Sequence, residues 1–296
     1  MDMRTTFLST MEEALAVDPR LVLVLADISA GTGPVLAAQR RHPDRVLNVG
    51  IREQALIGVT GGLALTGMRP VAHTFPPFLV ERPYEQIKLD LCHQGVGAVL
   101  VSSGASYDMA AAGRTHHSAA DVALLDTVPG WTVHVPGHPE EARRLLLESL
   151  PGDGRVYLRL SSQANARAHL GAGFLTLRQG TRGVVLAVGP MLDRVLAATE
   201  GLDVTVLYAA TIRPFDAAGL RAALGEVADV MLVEPYQAGT SAHHVGEALA
   251  DVPHRLRSLG TQRDVEVRQY GEVTDHDFVH GLDVAGITAA ARAFFR

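Results

Sequence analysis

Lys88 is the sole lysine of this chain and Cys92 its sole cysteine, and aromatic residues make up only 5% of the sequence. One cysteine rules out an intrachain disulfide and a thiolate metal cluster, and it reads as a small buried hydrophobe. Basic residues are outnumbered by acidic ones, leaving a formal charge of −6. No basic face therefore awaits phosphates, and nucleic acid is not expected as a partner. Also lacking is any apolar run near the ~20 residues that a membrane helix requires. Met1-Asp2-Met3-Arg4 has no apolar core of a secretory leader. The expectation is a cytoplasmic protein with no membrane contact.

What is present is an Ala/Val/Leu-rich chain of 296 residues, 47% apolar, enough for two cores. Continuous apolar runs such as Leu21–Ala26 read as strands buried on both faces. They alternate with amphipathic stretches such as Thr5–Val17, Pro139–Leu150 and Val284–Phe294. That alternation predicts an α/β protein of two domains, each a mostly parallel sheet flanked by helices. The expected boundaries are 1–165 for the first domain, 166–180 for a polar linker and 181–296 for the second. Ser103–Ser118, rich in Gly, Ala and His, is too long for a plain connector.

The chain is organised around Asn48–Gln86. A short strand runs into Gly50, and a helix opens at Arg52-Glu53-Gln54 with Gly58, Gly61, Gly62 and Gly67 along or just beyond it. Glycine costs a helix interior about 1 kcal/mol relative to alanine, so the pattern predicts a close approach by another backbone or a ligand. Glu53, at the mouth of that helix, is either a partner for the helix dipole or a proton-relay group. Asp27-Ile28, Gly50–Glu53, Thr74–Phe78 and the Ser103–His117 loop all follow strands. Parallel sheets bind ligands at those ends, so the pattern gathers the four segments on one edge.

These segments carry a resemblance. G-I-R-E-Q at 50–54, T-F-x-x-F-x-x-x-R-x-Y-E-Q at 74–86, G-x-T-H at 113–116, P-G-W-T-V-H-V-P at 129–136 and V-E-P-Y at 233–236 resemble, in that order, the thiamine-diphosphate family. Its members include transketolases, 1-deoxyxylulose-5-phosphate synthases and the β chains of 2-oxoacid dehydrogenases. The match is to a pyrimidine-binding domain followed by a transketolase C-terminal domain, as in the C-terminal subunit of a split transketolase. The resemblance implies a cofactor, thiamine diphosphate with Mg²⁺, and overrides the dipole reading of Glu53. Glu53 matches the family glutamate that shares a proton with the pyrimidine, a task that needs a site poor in water. Phe78 matches the ring that stacks on the pyrimidine, with Phe75 beside it. Ile28 matches the aliphatic wedge under the cofactor, and Asp27 lies next to it. His116 matches a substrate-contacting histidine. His73, Arg114 and His117 are further candidate substrate contacts, and no residue is assigned to a metal.

The family holds the diphosphate through Mg²⁺ at G-D-G followed by N-N, on its N-terminal domain. Gly152-Asp153-Gly154 mimics half of that motif, but it joins a helix to a strand and no N-N follows it. The resemblance therefore implies an N-terminal partner subunit carrying the diphosphate and Mg²⁺ site, in an α2β2 assembly. Three positions where the family reads phosphosugars stand here as Gly104, Ala111-Ala112 and Ser162. Charge-assisted contacts to phosphate are lost with them, so a non-phosphorylated acceptor is expected unless Arg4, Arg114 or Arg159 compensates. The implied activity is transfer of a two-carbon ketol unit from a ketose to an aldehyde. A 2-oxoacid dehydrogenase-type β subunit and a non-catalytic homologue are the alternatives.

Other groups read as structural. Arg82, Tyr84 and Glu85, on the helix after the aromatic turn, form a structural network at the subunit interface. His243 and His244 are adjacent, so on a helix they project about 100° apart and make no metal pair. Asp275-His276-Asp277 reads as a solvated loop before the last helix.

Overall fold

The computed structural model describes residues 1–296. In chain order the strands are β1 (Leu21–Leu25), β2 (Val46–Asn48), β3 (Arg69–Thr74), β4 (Val99–Ser103), β5 (Trp131–His134), β6 (Arg155–Leu160), β7 (Leu175–Arg178), β8 (Val184–Val188), β9 (Thr205–Ala209), β10 (Thr211–Arg213), β11 (Asp229–Gln237) and β12 (Arg255–Thr261). They form a seven-stranded sheet in the order β10-β5-β6-β4-β3-β1-β2 and a five-stranded sheet in the order β12-β11-β8-β9-β7. Both are parallel except at one edge, where β10 and β7 run antiparallel to their neighbours. The α/β architecture with helices on both faces is as the sequence pattern requires.

Strand composition explains the layering. All five residues of β1 are buried. Leu21, Leu23 and Leu25 enter one core, which also takes Val185, Val206 and Met231 of the second sheet. Val22 and Val24 enter the other, with Val184, Leu186 and Val230. Alternate side chains of each strand thus feed opposite layers, and each layer runs on from one sheet to the other. No helix is long and apolar enough to cross a membrane.

Three segments differ from the sequence reading. The stretch expected as a linker, 166–180, holds β7, whose antiparallel pairing with β9 supplies an edge that its short, mixed pattern did not announce. β10 belongs by sequence to the second unit yet pairs with β5 of the first sheet, a long-range pairing invisible to local periodicity. Asp275-His276-Asp277 is not a solvated loop: it lies in the helix Val273–His280, with His276 and Asp277 buried. Asp277 accepts from the Tyr107 hydroxyl at 2.6 Å and pairs with Arg194 at 2.8 Å, which ties the last helices to the first unit.

The aromatic turn is itself helical. Pro77–Glu81 and Ile87–His93 are π-helical stretches flanking Tyr84–Gln86, a distortion that often marks functional sites. The close approach expected of the glycine-rich helix occurs at Gly61, where an added Cβ would lie 2.6 Å from the carbonyl oxygen of Asp90. The helix Glu53–Leu65 can therefore press directly on the backbone of Ile87–His93.

Candidate active site

Parallel register brings the carboxyl ends of β1, β3 and β4 level: Leu25 pairs with His73, and His73 with Val101. The loops that follow make the floor of a cleft. After β1, Asp27 and Ser29 adopt left-handed conformations, φ 66 and 65, which cost a non-glycine residue of order 1 kcal/mol or more each. Neighbouring side chains hold them there. The Asn48 side-chain oxygen accepts from the backbone N–H of Asp27 and of Gly50, both at 3.0 Å. One amide thereby staples the β1 loop to the turn that presents Ile51 and Glu53. Arg4 donates to the Ser29 hydroxyl at 3.1 and 2.9 Å, and Ser29 lies 3.2 Å from His73 Nε2. His73 Nδ1 is 2.8 Å from the Val101 carbonyl, so Nδ1 carries the proton and Nε2 accepts from Ser29.

Six of the residues singled out in the sequence line one cleft of about 270 Å³: Asp27, Ile28, Glu53, Phe75, Phe78 and His116, with Ile51 and Thr74 between them. Phe75 and Phe78 meet edge to face at 6.2 Å, and the His116 ring stands against them at 5.6 and 5.2 Å. Gly104 permits this arrangement, since a Cβ there would sit 3.2 Å from the Phe75 ring at a φ of +83. Glu53 is 2% exposed. Its Oε1 accepts from Arg82 Nη1 at 2.8 Å, no group donates to Oε2, and the residue lines the cleft. The same guanidinium covers the Phe78 ring, 4.2 Å from its centroid, a cation–π contact.

Arg82 is thus part of the site rather than of a peripheral network, and Asn48 was missed altogether. The signal for Arg82 was its place in the 74–86 motif, four residues after Phe78. Asn48 offered none beyond its position at a strand end.

Three candidates stand elsewhere. His73 is fully buried beneath the floor, where burial pushes its imidazole down to about 4. It braces Ser29 and cannot touch a ligand in the cleft. Arg114 and His117 line a separate cavity between the two units. Arg114 Nε donates to Glu266 at 2.9 Å and its Nη1 to the His117 carbonyl at 3.1 Å. The short 3₁₀ turn Arg114–His116 puts Arg114 and His117, three residues apart, on one side and His116 on another, whereas the sequence placed all three together.

Neither remaining arginine is available to the cleft. Arg4 is committed to Ser29, and Arg159 is buried in an ion pair with Asp121 at 2.7 Å. The Gly152–Gly154 turn precedes β6, on the edge of the sheet opposite the cleft. His243 and His244 do converge, their rings 3.9 Å apart, and with Asp126 their ligand atoms lie within 4.8 Å of one another. Rotamers close the gap that the backbone angle opens. Asp126, however, is taken on both oxygens by Arg213, so the trio places a guanidinium where a cation would go.

Comparison with known proteins adds the lineage. Residues 1–167 match the family model of the transketolase pyrimidine-binding domain. Over 99% of its length the chain is 59% identical to an uncharacterized 33.6 kDa protein in the fasciation locus of Rhodococcoides fascians, covering 95% of it. Over 98% it is 31% identical to a 6-deoxy-6-sulfo-D-fructose transketolase subunit of Clostridium sp. (strain MSTE9), covering 93% of that protein. A solved structure described as a split gene transketolase, inactive beta4 tetramer, superposes with a TM-score of 0.83 at 24% identity, over 100% of this chain and 98% of its own.

Proposed function

The chain belongs to the transketolase family through its pyrimidine-binding domain, and from that premise we propose that it is one half of a two-component, thiamine-diphosphate-dependent transferase. It would move a two-carbon ketol unit from a ketose donor to an aldehyde-type acceptor. One observation carries this reading: a buried carboxylate, Glu53, sits in an aromatic-walled cleft with one oxygen held by Arg82 and the other uncommitted.

The residues present fit the aminopyrimidine end of the cofactor. Phe78 offers a ring face to stack on, backed by Arg82, and Ile28 and Ile51 supply apolar walls. Glu53 would share a proton with a ring nitrogen in a place that water barely reaches. When bound, thiamine diphosphate would supply an acidic thiazolium carbon as the nucleophile and its cationic ring as the electron sink that ketol transfer requires. His116, on the cleft wall, is placed to hydrogen-bond a substrate oxygen.

The diphosphate and its Mg²⁺ find no counterpart on this edge of the sheet. We assign them to an N-terminal subunit and the assembly to α2β2. The exposed Ile51 at the lip and Leu65 at the far end of the helix Glu53–Leu65, 72% and 60% exposed, give that subunit apolar surface to cover. A cytoplasmic setting accords with the unpaired Cys92. The acceptor is proposed to lack a phosphate, because Arg4, Arg114 and Arg159 are each engaged away from the cleft.

The test is to purify the chain with the product of the neighbouring open reading frame and assay hydroxypyruvate with a panel of aldehydes. Ketol transfer supports the reading, whereas activity only with pyruvate and a lipoyl domain contradicts it. Turnover of xylulose 5-phosphate with ribose 5-phosphate at ordinary transketolase rates would overturn the acceptor assignment alone.

A further inference from the structure

Behind the turn that carries His116 lies a second cavity, about 130 Å³, between the two units. It has room for several waters or one small ligand. Three imidazoles meet there. His117 stands edge to face with His276 at 5.0 Å, and Tyr107 stacks on His276 at 5.1 Å and lies 5.6 Å from His280. The bond from Tyr107 to Asp277 and the Asp277–Arg194 ion pair fix the floor.

The cavity is lined by polar atoms without partners. His117 is 8% exposed, and its Nε2 is buried with no hydrogen bond. Thr261 Oγ1 on the lining is likewise unpaired. Leaving such groups unmatched is unfavourable, because each has given up its water without gaining a partner. His280 Nδ1 accepts from the Gln262 N–H at 3.3 Å, so its other nitrogen carries a proton to donate. Glu81 adds a carboxyl on the same lining, displaced upward in pKa by burial.

The chemistry of the lining selects the ligand. Arg114 and Arg263 are matched by Glu81 and Glu266, and Arg114 is already paired with Glu266. Burial holds the pKa of each of the three imidazoles below the ordinary histidine value, so near neutral pH they add little charge. An anion therefore finds no net positive field. The imidazoles do not converge as metal ligands either: the one cluster of three ligand atoms within 4.8 Å of each other is at Asp126. An unpaired imidazole nitrogen of His117 and an unpaired hydroxyl of Thr261 in a small, charge-balanced space match the hydroxyl groups of a neutral ligand.

We infer that this cavity is a binding site for a small, neutral, polyhydroxylated molecule, held by the ring nitrogens of His117, His276 and His280 and by the Glu81 carboxyl. The inference stands apart from the transketolase reading, since it needs neither cofactor nor partner. An occupant would press from behind on the Arg114–His116 turn.

The experiment uses the full chain labelled with ¹⁵N at histidine and follows imidazole signals while erythritol is added. The expected result is a saturable shift of the His117, His276 and His280 signals in the millimolar range, with the buried His73 and His134 unmoved. The variant His117→Phe, which fills the space, should abolish the curve. If near-ultraviolet circular dichroism shows that variant misfolded, His280→Gln replaces it, with at least a tenfold weakening expected. Absence of saturation overturns the proposal, and so do equal shifts at His134. A response to sodium phosphate or zinc chloride at lower concentration than to erythritol also overturns it.

Discussion

Arg82 holds Glu53 and Phe78 at once: its Nη1 is 2.8 Å from Glu53 Oε1, and its guanidinium carbon is 4.2 Å from the centre of the Phe78 ring. The carboxylate is almost fully buried while the guanidinium is 42% exposed. Truncating the arginine would leave a buried charge uncompensated. Arg82→Ala is expected to destabilise the chain by about 1–3 kcal/mol and to reduce turnover. Arg82→Lys should restore most of the stability while recovering less of the activity, because lysine lacks the flat face that covers Phe78. Denaturant midpoints and initial rates for the two variants check both parts.

Replacing Glu53 with glutamine keeps shape and removes the proton-sharing group. Turnover by the reconstituted complex should fall at least ~10²-fold, with assembly and circular dichroism unchanged. An active Glu53→Gln complex would remove this residue from the mechanism.

Asn48 joins two loops through one oxygen, and Asn48→Ala deletes both of those bonds together with the one its Nδ2 donates to Asp27 Oδ1 at 3.4 Å. Amide hydrogen exchange at Asp27 and Gly50 should accelerate by about tenfold or more, in line with about 1–2 kcal/mol of lost local protection. The KM for thiamine diphosphate should rise more than kcat falls. Asn48→Asp, which keeps the acceptor oxygen but sets a second carboxylate against Asp27 in place of the Nδ2 donor, should recover only part of the protection. Equal protection in wild type and Asn48→Ala would show the staple to be idle.

Acid sensitivity follows from the neutral histidines. Burial depresses His73 and His134 to about 4, against about 6.5 in an unfolded chain. Above 6.5 neither state binds the proton. Between 6.5 and 4 the unfolded state binds it first, so stability falls as pH falls through that window, by up to roughly 3 kcal/mol per histidine. Urea midpoints measured across the window should drop less steeply for His73→Asn and for His134→Asn than for wild type.

Much of this was legible in the sequence because it rests on local pattern. The apolar runs gave the central strands, and strand-end positions gathered Asp27, Ile28, Glu53, Phe75, Phe78 and His116 on one edge. What escaped depends on distance along the chain. β10 forms by pairing with β5, and His73 lies within β3 beneath the β1 loop whereas Phe75 lies just past the end of that strand. Arg114 and His117 were drawn to the cleft by their neighbour His116, but a tight helical turn reverses their direction. Asn48 acts through two backbone amides 21 and 2 residues away, a relationship with no periodic signature.

The central claim is that Glu53 moves a proton at the pyrimidine while another subunit anchors the diphosphate. Exchange of the C2 proton of thiamine diphosphate with deuterium reads this directly. The account predicts rapid exchange in the two-subunit complex, and exchange at the solution rate both in the Glu53→Gln complex and with this chain alone. Rapid exchange with the isolated chain, or an undiminished rate in the Glu53→Gln complex, would contradict it.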